Sequence, residues 1–238
     1  MRSASDGTAS RLRGVPLATY KDLCIDAADP ARLGEFWAGV LGLELHLQDG
    51  GDAYLTGPTK AHTIWVNRVP EPKTVKHRMH IDVNAESVEQ VVALGGTVLD
   101  ADSFRWTVMA DPEGGELCVF VREGEITQRL YELVVDTGGD GAAPRIASWW
   151  ADVLGGRLGG QDDEWYVDQV PGAPYECLVF GGVPEPKTVK NRIHLDVTTS
   201  DLDALVAAGA TVLRSRDDEI GWTVLADPDG NEFCAFEA

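Results

Sequence analysis

Apolar and polar residues alternate along YKDLCID (20–26). Leu23, Ile25 and Ala27 fall on one side and Asp22, Cys24 and Asp26 on the other, the signature of a half-buried strand. At Asp29-Pro30 the period changes. Leu33, Phe36, Trp37, Val40 and Leu41 recur at i, i+3, i+4, i+7 and i+8, one apolar stripe of an amphipathic helix. Asp29 suits the cap, Pro30 the first turn, and Gly42 the left-handed stop. LELHLQ (43–48), DAYLTG (52–57) and HTIWVNRV (62–69) read as strands separated by turn residues. VPEPKTVK (69–76) follows. Its two prolines deny ladder hydrogen bonds and favour a stiff, extended connection. A second, shorter round then begins: strand HRMHIDV (77–83), helix ESVEQVVALGG (86–96), and strands TVLDA (97–101), WTVMAD (106–111) and GELCVFV (115–121).

The whole succession occurs twice. VPEPKTVK returns at 183–190, KHRMHIDV (76–83) matches KNRIHLDV (190–197), and RWTVMADPEGGELCVF (105–120) matches GWTVLADPDGNEFCAF (221–236). Upstream, LGEFWAGVLG (33–42) matches IASWWADVLG (146–155). A repeat this long outranks any other fold signal. It divides the chain into a lead-in over 1–16, expected to be disordered, and two domains over 17–123 and 127–238 joined by the polar segment REGEITQ (122–128). Each half is long enough for its own core. VPEPKTVK becomes the linker between two βαβββ units within each half, with Glu71, Lys73, Glu185 and Lys187 as candidate clamps. ADPEGG (110–115) and ADPDGN (226–231) are turns in which Asp bonds its own backbone, Pro presets φ and Gly accepts positive φ.

Composition narrows the function. Of 238 residues, 44% are apolar and 25% charged, a globular profile, and no apolar run reaches the ~18 residues a membrane span needs. The N-terminus has no apolar signal region, so a cytoplasmic location is expected. A net charge of −19 repels phosphate backbones and anionic membranes. The four cysteines form no CxxC pair and sit in apolar strand-like runs, where a reduced thiol behaves as a small hydrophobe. No GxSxG, GxxxxGK[ST] or HExxH motif occurs.

The candidate chemistry lies on the polar strand faces. Arg78, His80 and Asp82 oppose Met79, Ile81 and Val83, and Arg192, His194 and Asp196 repeat the stripe. Glu132, Val134 and Asp136 oppose Tyr131, Leu133 and Val135. Glu116, Cys118 and Phe120, and Glu232, Cys234 and Phe236, each share one face. Trp106 and Trp222 open the penultimate strands, where a ring either packs in the core or stacks on a flat ligand. Trp37, Trp149 and Trp150 sit on helix stripes and read as packing; Trp65 and Trp165 stay open.

Paired βαβββ units, an FW-x-x-VLG helix and a closing DP-[ED]-G turn together resemble the vicinal oxygen chelate superfamily. This is the group of glyoxalases, bleomycin-resistance proteins and extradiol dioxygenases. The likeness to its glyoxalase-like domains covers about 220 residues. The resemblance implies an α+β fold of two tandem domains, each of two βαβββ units forming curved, cup-like mixed sheets with helices outside. Carried over residue by residue, it implies metal ligands at Asp22, His62, His80 and Cys118 in the first domain, and Glu132, Glu176, His194 and Cys234 in the second. The cysteines stand where the family usually has glutamate. Such sets suit a divalent metal (Fe, Mn, Ni, Co or Zn), with thiolate favouring zinc over an oxygenase iron. Arg78, Asp82, Trp106, Arg192, Asp196 and Trp222 are the expected substrate contacts.

Three functions compete. One is a metal-dependent lyase, isomerase or dioxygenase acting on a small molecule. The second is a metal-free protein that sequesters a drug-like compound. The third is a structural or regulatory module. The partners expected are a small-molecule ligand and the packing of one domain on the other, with no nucleic acid and no membrane.

Overall fold

The structure is a computed structural model that describes residues 15–162 and 164–238; the lead-in expected over 1–16 therefore lies, for 1–14, outside the described residues. The first half carries β1 (Thr19–Ala27), α1 (Pro30–Leu41), β2 (Glu44–Leu47), β3 (Ala53–Thr56) and β4 (Ile64–Arg68). Then come β5 (Met79–Ala85), α2 (Val88–Ala93), β6 (Thr97–Asp100), β7 (Thr107–Ala110) and β8 (Glu116–Val121). The second half repeats the order with β9 (Leu130–Gly138), α3 (Ala142–Leu154), β10 (Arg157–Gln161), β11 (Glu164–Asp168) and β12 (Cys177–Val183). It closes with β13 (Ile193–Thr199), α4 (Leu202–Ala207), β14 (Thr211–Arg214), β15 (Thr223–Ala226) and β16 (Glu232–Glu237).

Local signals act as the sequence predicts. The Asp29 carboxylate accepts from the Arg32 amide at 3.2 Å, and Gly42 leaves α1 at φ 68°. Leu33, Phe36, Trp37, Val40 and Leu41 are all buried. The turn aspartates cap their own loops. Asp111 accepts from the Glu113 and Gly115 amides, and Asp227 from the Asp229 and Asn231 amides, at 2.8–2.9 Å.

The four βαβββ units combine into two eight-stranded sheets, in the orders β14-β15-β16-β13-β1-β4-β3-β2 and β10-β11-β12-β9-β5-β8-β7-β6. The mixed α+β architecture follows the expectation, but the partnership of units does not. The two units of one half were expected to share a cup. Instead β1 pairs antiparallel with β13, and β5 with β9, so each sheet joins one unit from each half. The VPEPKTVK linkers make this possible. Residues 69–78 lie outside any strand and carry the chain from the first sheet to the second. Ten extended residues reach up to roughly 33 Å.

The linkers are held both across the halves and within them. Arg192 donates to the Glu71 carbonyl at 2.7 Å and Arg78 to the Glu185 carbonyl at 2.8 Å. Lys73 binds Glu116 and Lys187 binds Glu232, both at 2.8 Å. Lys76 reaches Asp136, and Lys190 reaches Asp26, at 2.5 Å. The octapeptide is therefore a structural clamp. Its lysine side chains and its Glu71 and Glu185 carbonyls do the holding. The outer faces of both sheets and the helix stripes share one continuous apolar core that includes Leu23, Trp37, Ile81, Leu133, Trp150 and Phe233.

Candidate functional site

Because β1 lies beside β13, the candidate residues meet in combinations the repeat alone does not give. Across that pair Cys24 faces His194 and Asp22 faces Asp196 in register, while Asp196 faces Cys234 on β16. Donor atoms of Cys24, His194 and Asp196 lie within 4.8 Å of one another. Cys234 Sγ is 3.5 Å from His194 Nε2. This cluster floors a cavity of about 470 Å³ in the concave face of the first sheet. Trp65, Trp222 and Phe236 supply apolar walls, and Lys21, Lys190 and Arg214 supply cations.

Two details shape the floor. Trp65 Nε1 donates to the Asp22 carboxylate at 3.2 Å. Lys21 is the extra residue of a β-bulge, where Tyr20 pairs with Val197 and Asp22 with Asp196. Strict alternation would turn Lys21 away from Asp22; the bulge re-aims it inward. Its Nζ then lies 2.6 Å from Asp22, 3.9 Å from Asp196 and 4.0 Å above the Phe236 ring.

Burial controls the charge of the floor. It is the largest influence pushing the Asp196 carboxyl up to about 8, aided by the neighbouring Asp22. Burial also pulls His194 down to about 4, with Lys190 acting in the same direction. The Cys24 and Cys234 thiols are raised by burial and then by Asp196. Burial thus favours the uncharged form of all four groups. His194 Nδ1, Asp196 Oδ1 and Asp22 Oδ1 are buried without hydrogen-bond partners among the described residues; Asp196 Oδ1 lies 3.5 Å from His194 Nε2 but outside bonding geometry. Unsatisfied buried donors and acceptors cost about 1–3 kcal/mol each, so a bound group that satisfied them would be held strongly.

The second sheet repeats the theme with different parts. His80, Asp82 and Cys118 form a matching cluster within 4.8 Å, and Asp82 faces Glu132 across β5 and β9. Val134 stands where Cys24 stands in the first sheet, since it pairs with His80 as Cys24 pairs with His194. Cys177 donates to Glu132 at 3.1 Å. Tyr131 is the bulge residue here and turns onto Phe120, contrary to the alternation that set it on the apolar face. Phe104, Trp106 and Phe120 then stack in turn, Tyr131 meets Phe120 edge to face, with ring centroids 5.0–5.3 Å apart throughout, and Arg122 lies over Phe120 and Tyr131. Trp106 is therefore engaged by protein rings, whereas Trp222 stacks on Phe236 and lines the open cavity.

The implied ligand sets are redistributed. Asp22 of the first half joins His194 and Cys234 of the second; Glu132 of the second joins His80 and Cys118 of the first. His62 lies apart from the cluster. Expected in a strand, it ends a turn of 3-10 helix (Lys60–His62) and bonds Thr59 through Nδ1 at 2.9 Å. Glu176 is exposed and precedes β12, one residue off the inward register that Cys177 occupies. Arg78 and Arg192 leave the cups for the linkers, because each stands just before its strand and turns to a linker carbonyl. Cys24, Trp65 and Lys190 were missed as site residues. Cys24 carried a signal, its shared face with Asp22 and Asp26, whereas the bulge that brings Lys21 inward left no mark in the sequence.

The model of the glyoxalase-like domain matches twice, over residues 22–120 and 132–236. The chain belongs to the glyoxalase-like domain family, within the vicinal oxygen chelate superfamily. Among solved structures, a point mutant of glyoxalase I from Zea mays is 14% identical with a TM-score of 0.67, covering 93% of this chain and 94% of that one. Glyoxalase I from Zea mays aligns at a TM-score of 0.65 and 14% identity over 92% of both chains. A Bacillus subtilis protein provisionally described as a dioxygenase aligns at 0.63 and 14% over 94% of this chain and 86% of its own. At such identity the likeness establishes the shared fold. No curated protein sequence matches this chain. No helix among the described residues is long and apolar enough to cross a membrane.

Proposed function

We propose that this glyoxalase-like protein binds a small organic molecule with a flat apolar portion in the concave face of its first sheet. One observation carries the reading: a cavity of about 470 Å³ with Trp65, Trp222 and Phe236 as walls and His194 and Asp196 on its floor. That volume is in the range of small-molecule sites, which combine apolar walls with convergent polar groups. A panel of flat aromatic compounds should quench tryptophan fluorescence and raise Tm, and Trp222→Ala should weaken the tightest binder at least tenfold. A panel without any stabilising compound, or a variant that binds as the wild type does, would sink the proposal. A cytoplasmic setting accords with the acidic composition and the free thiols.

A second reading adds a metal, and the orphaned floor atoms favour it. Cys24, His194 and Asp196 would hold a divalent ion, with Cys234 and Asp22 adjacent. A donor set rich in sulfur fits zinc better than an oxygen-activating iron. When bound, such an ion would polarise a ligand oxygen as a Lewis acid, the chemistry of a lyase or isomerase. Loading must displace protons from Asp196 and Cys24, so affinity should rise with pH. Elemental analysis of untagged protein should find about one zinc per chain, reduced severalfold in His194→Ala. Metal near zero after incubation with each candidate ion would leave the metal-free binding reading, whose ligand stabilisation survives a chelator.

A further inference from the structure

Where the two VPEPKTVK linkers face each other, a second cavity of about 330 Å³ opens, separate from the cup except for a shared wall of Asp26 and Lys190. In a chain of net charge −19, its lining holds Lys73, Lys76, Arg78, Lys190 and Arg192 against only Asp26 and Glu71. We infer that this cavity binds a small oxyanion of the phosphate type, seated on Arg78 and His77.

The two halves differ around the linkers. Four of the five cations are matched: Lys73 by Glu116, Lys76 by Asp136, Lys190 by Asp26 and Arg192 by Glu113. Arg78 alone has no carboxylate partner among the described residues. The acid equivalent to Glu113 is Asp229, and it is occupied by Arg145 and by the Gly138 amide. Arg78 spends Nη1 on the Glu185 carbonyl, and its Nε is buried without a partner. His77 shows the same deficit. Its counterpart Asn191 donates to Asn231 at 2.9 Å, but the first half has Gly115 in place of Asn231, and both His77 ring nitrogens are buried without partners among the described residues. Adjacent in sequence and lining one cavity, these two side chains leave unsatisfied donor capacity at the one cation of the lining without a carboxylate partner among the described residues. A planar guanidinium and an imidazole are suited to a tetrahedral oxyanion by charge-assisted hydrogen bonds. Burial holds His77 down near 4, where Lys73, Arg192 and His80 also disfavour its charge and Glu116 favours it. A bound dianion would reverse that balance and pull a proton onto the ring.

Calorimetric titration with inorganic phosphate and with glycerol phosphate, at fixed ionic strength and neutral pH, tests the site. One ion per chain should bind, and Arg78→Gln should weaken it at least tenfold. Tighter binding of the organic phosphate would show the remaining cavity volume in use and uphold the site. His77→Asn, which installs the residue the second half carries at 191, should weaken binding severalfold and guards against a variant that fails to fold. Independently, nuclear magnetic resonance of the wild type should show the His77 ring titrating at least one pH unit higher with phosphate. Absence of saturable binding, or binding that both variants leave unchanged, overturns the inference.

Discussion

Asp196 and His194 stand two residues apart on β13, yet burial moves them in opposite directions. Asp196 holds its proton more tightly in the fold than in the unfolded chain. The stability this gives is complete below about 4 and is lost as pH rises towards 8. His194 binds its proton less tightly when folded. Its contribution is complete above about 6.5 and is lost as pH falls towards 4. Between about 4 and 6.5 the two effects oppose one another, so the net loss falls between about 6.5 and 8. In Asp196→Asn the alkaline loss should shrink, so that Tm between pH 6 and 9 falls less steeply than in the wild type. Calorimetry across that range checks it; parallel profiles would remove Asp196 as the cause.

At the scale of elements, two devices place the site. The first is the cap that starts α1. Asp29 accepts the Arg32 amide, while the amides of Ala28 and Asp29 donate to Glu113 at 2.9 and 2.7 Å. The turn of one unit thus fixes where the strand of another becomes a helix. Asp29→Ala should cost about 1 kcal/mol by urea denaturation, the usual loss of an N-cap. The second device is the bulge at Lys21. A single unpaired residue turns an ammonium into the cup of the first sheet, and the same bulge turns the Tyr131 ring onto Phe120 in the second. One backbone irregularity thus sets an ammonium over Phe236 in one copy and an aromatic ring against Phe120 in the other.

At the scale of the molecule, the halves are interlocked, since each sheet has its central seam at a junction between them. The expectation that residues 17–123 suffice for a self-contained cup does not survive this arrangement. That fragment would present β1 and β5 as open edges, and exposed edges recruit partners. Expressed alone, it should sediment as a dimer that rebuilds both sheets from two copies, or fail to fold. A stable monomer in analytical ultracentrifugation would contradict the interlock.

Local sequence carried the duplication, most of the elements and the strand faces away from the two bulges. Alternation along 20–26 and 79–83, the stripe on α1, and the turn chemistry of ADPEGG all depend on neighbours within a few residues. It also pointed to His80, His194, Asp82 and Asp196 as inward polar residues, and the structure sets each in a cluster. The partnership of Asp22 with His194 was decided only by tertiary structure. The hydrogen-bonding edge of β1 carries no mark distinguishing β5 from β13; the choice depends on where a proline-stiffened linker delivers the chain. His62 and Glu176 fell outside the clusters for a related reason. A one-residue error in a strand's start reverses its faces, and local bonds such as His62 to Thr59 set that start. The open cavity was likewise a tertiary outcome, because Trp106 and Trp222 occupy equivalent strand positions and differ only in what the surrounding chain packs against them.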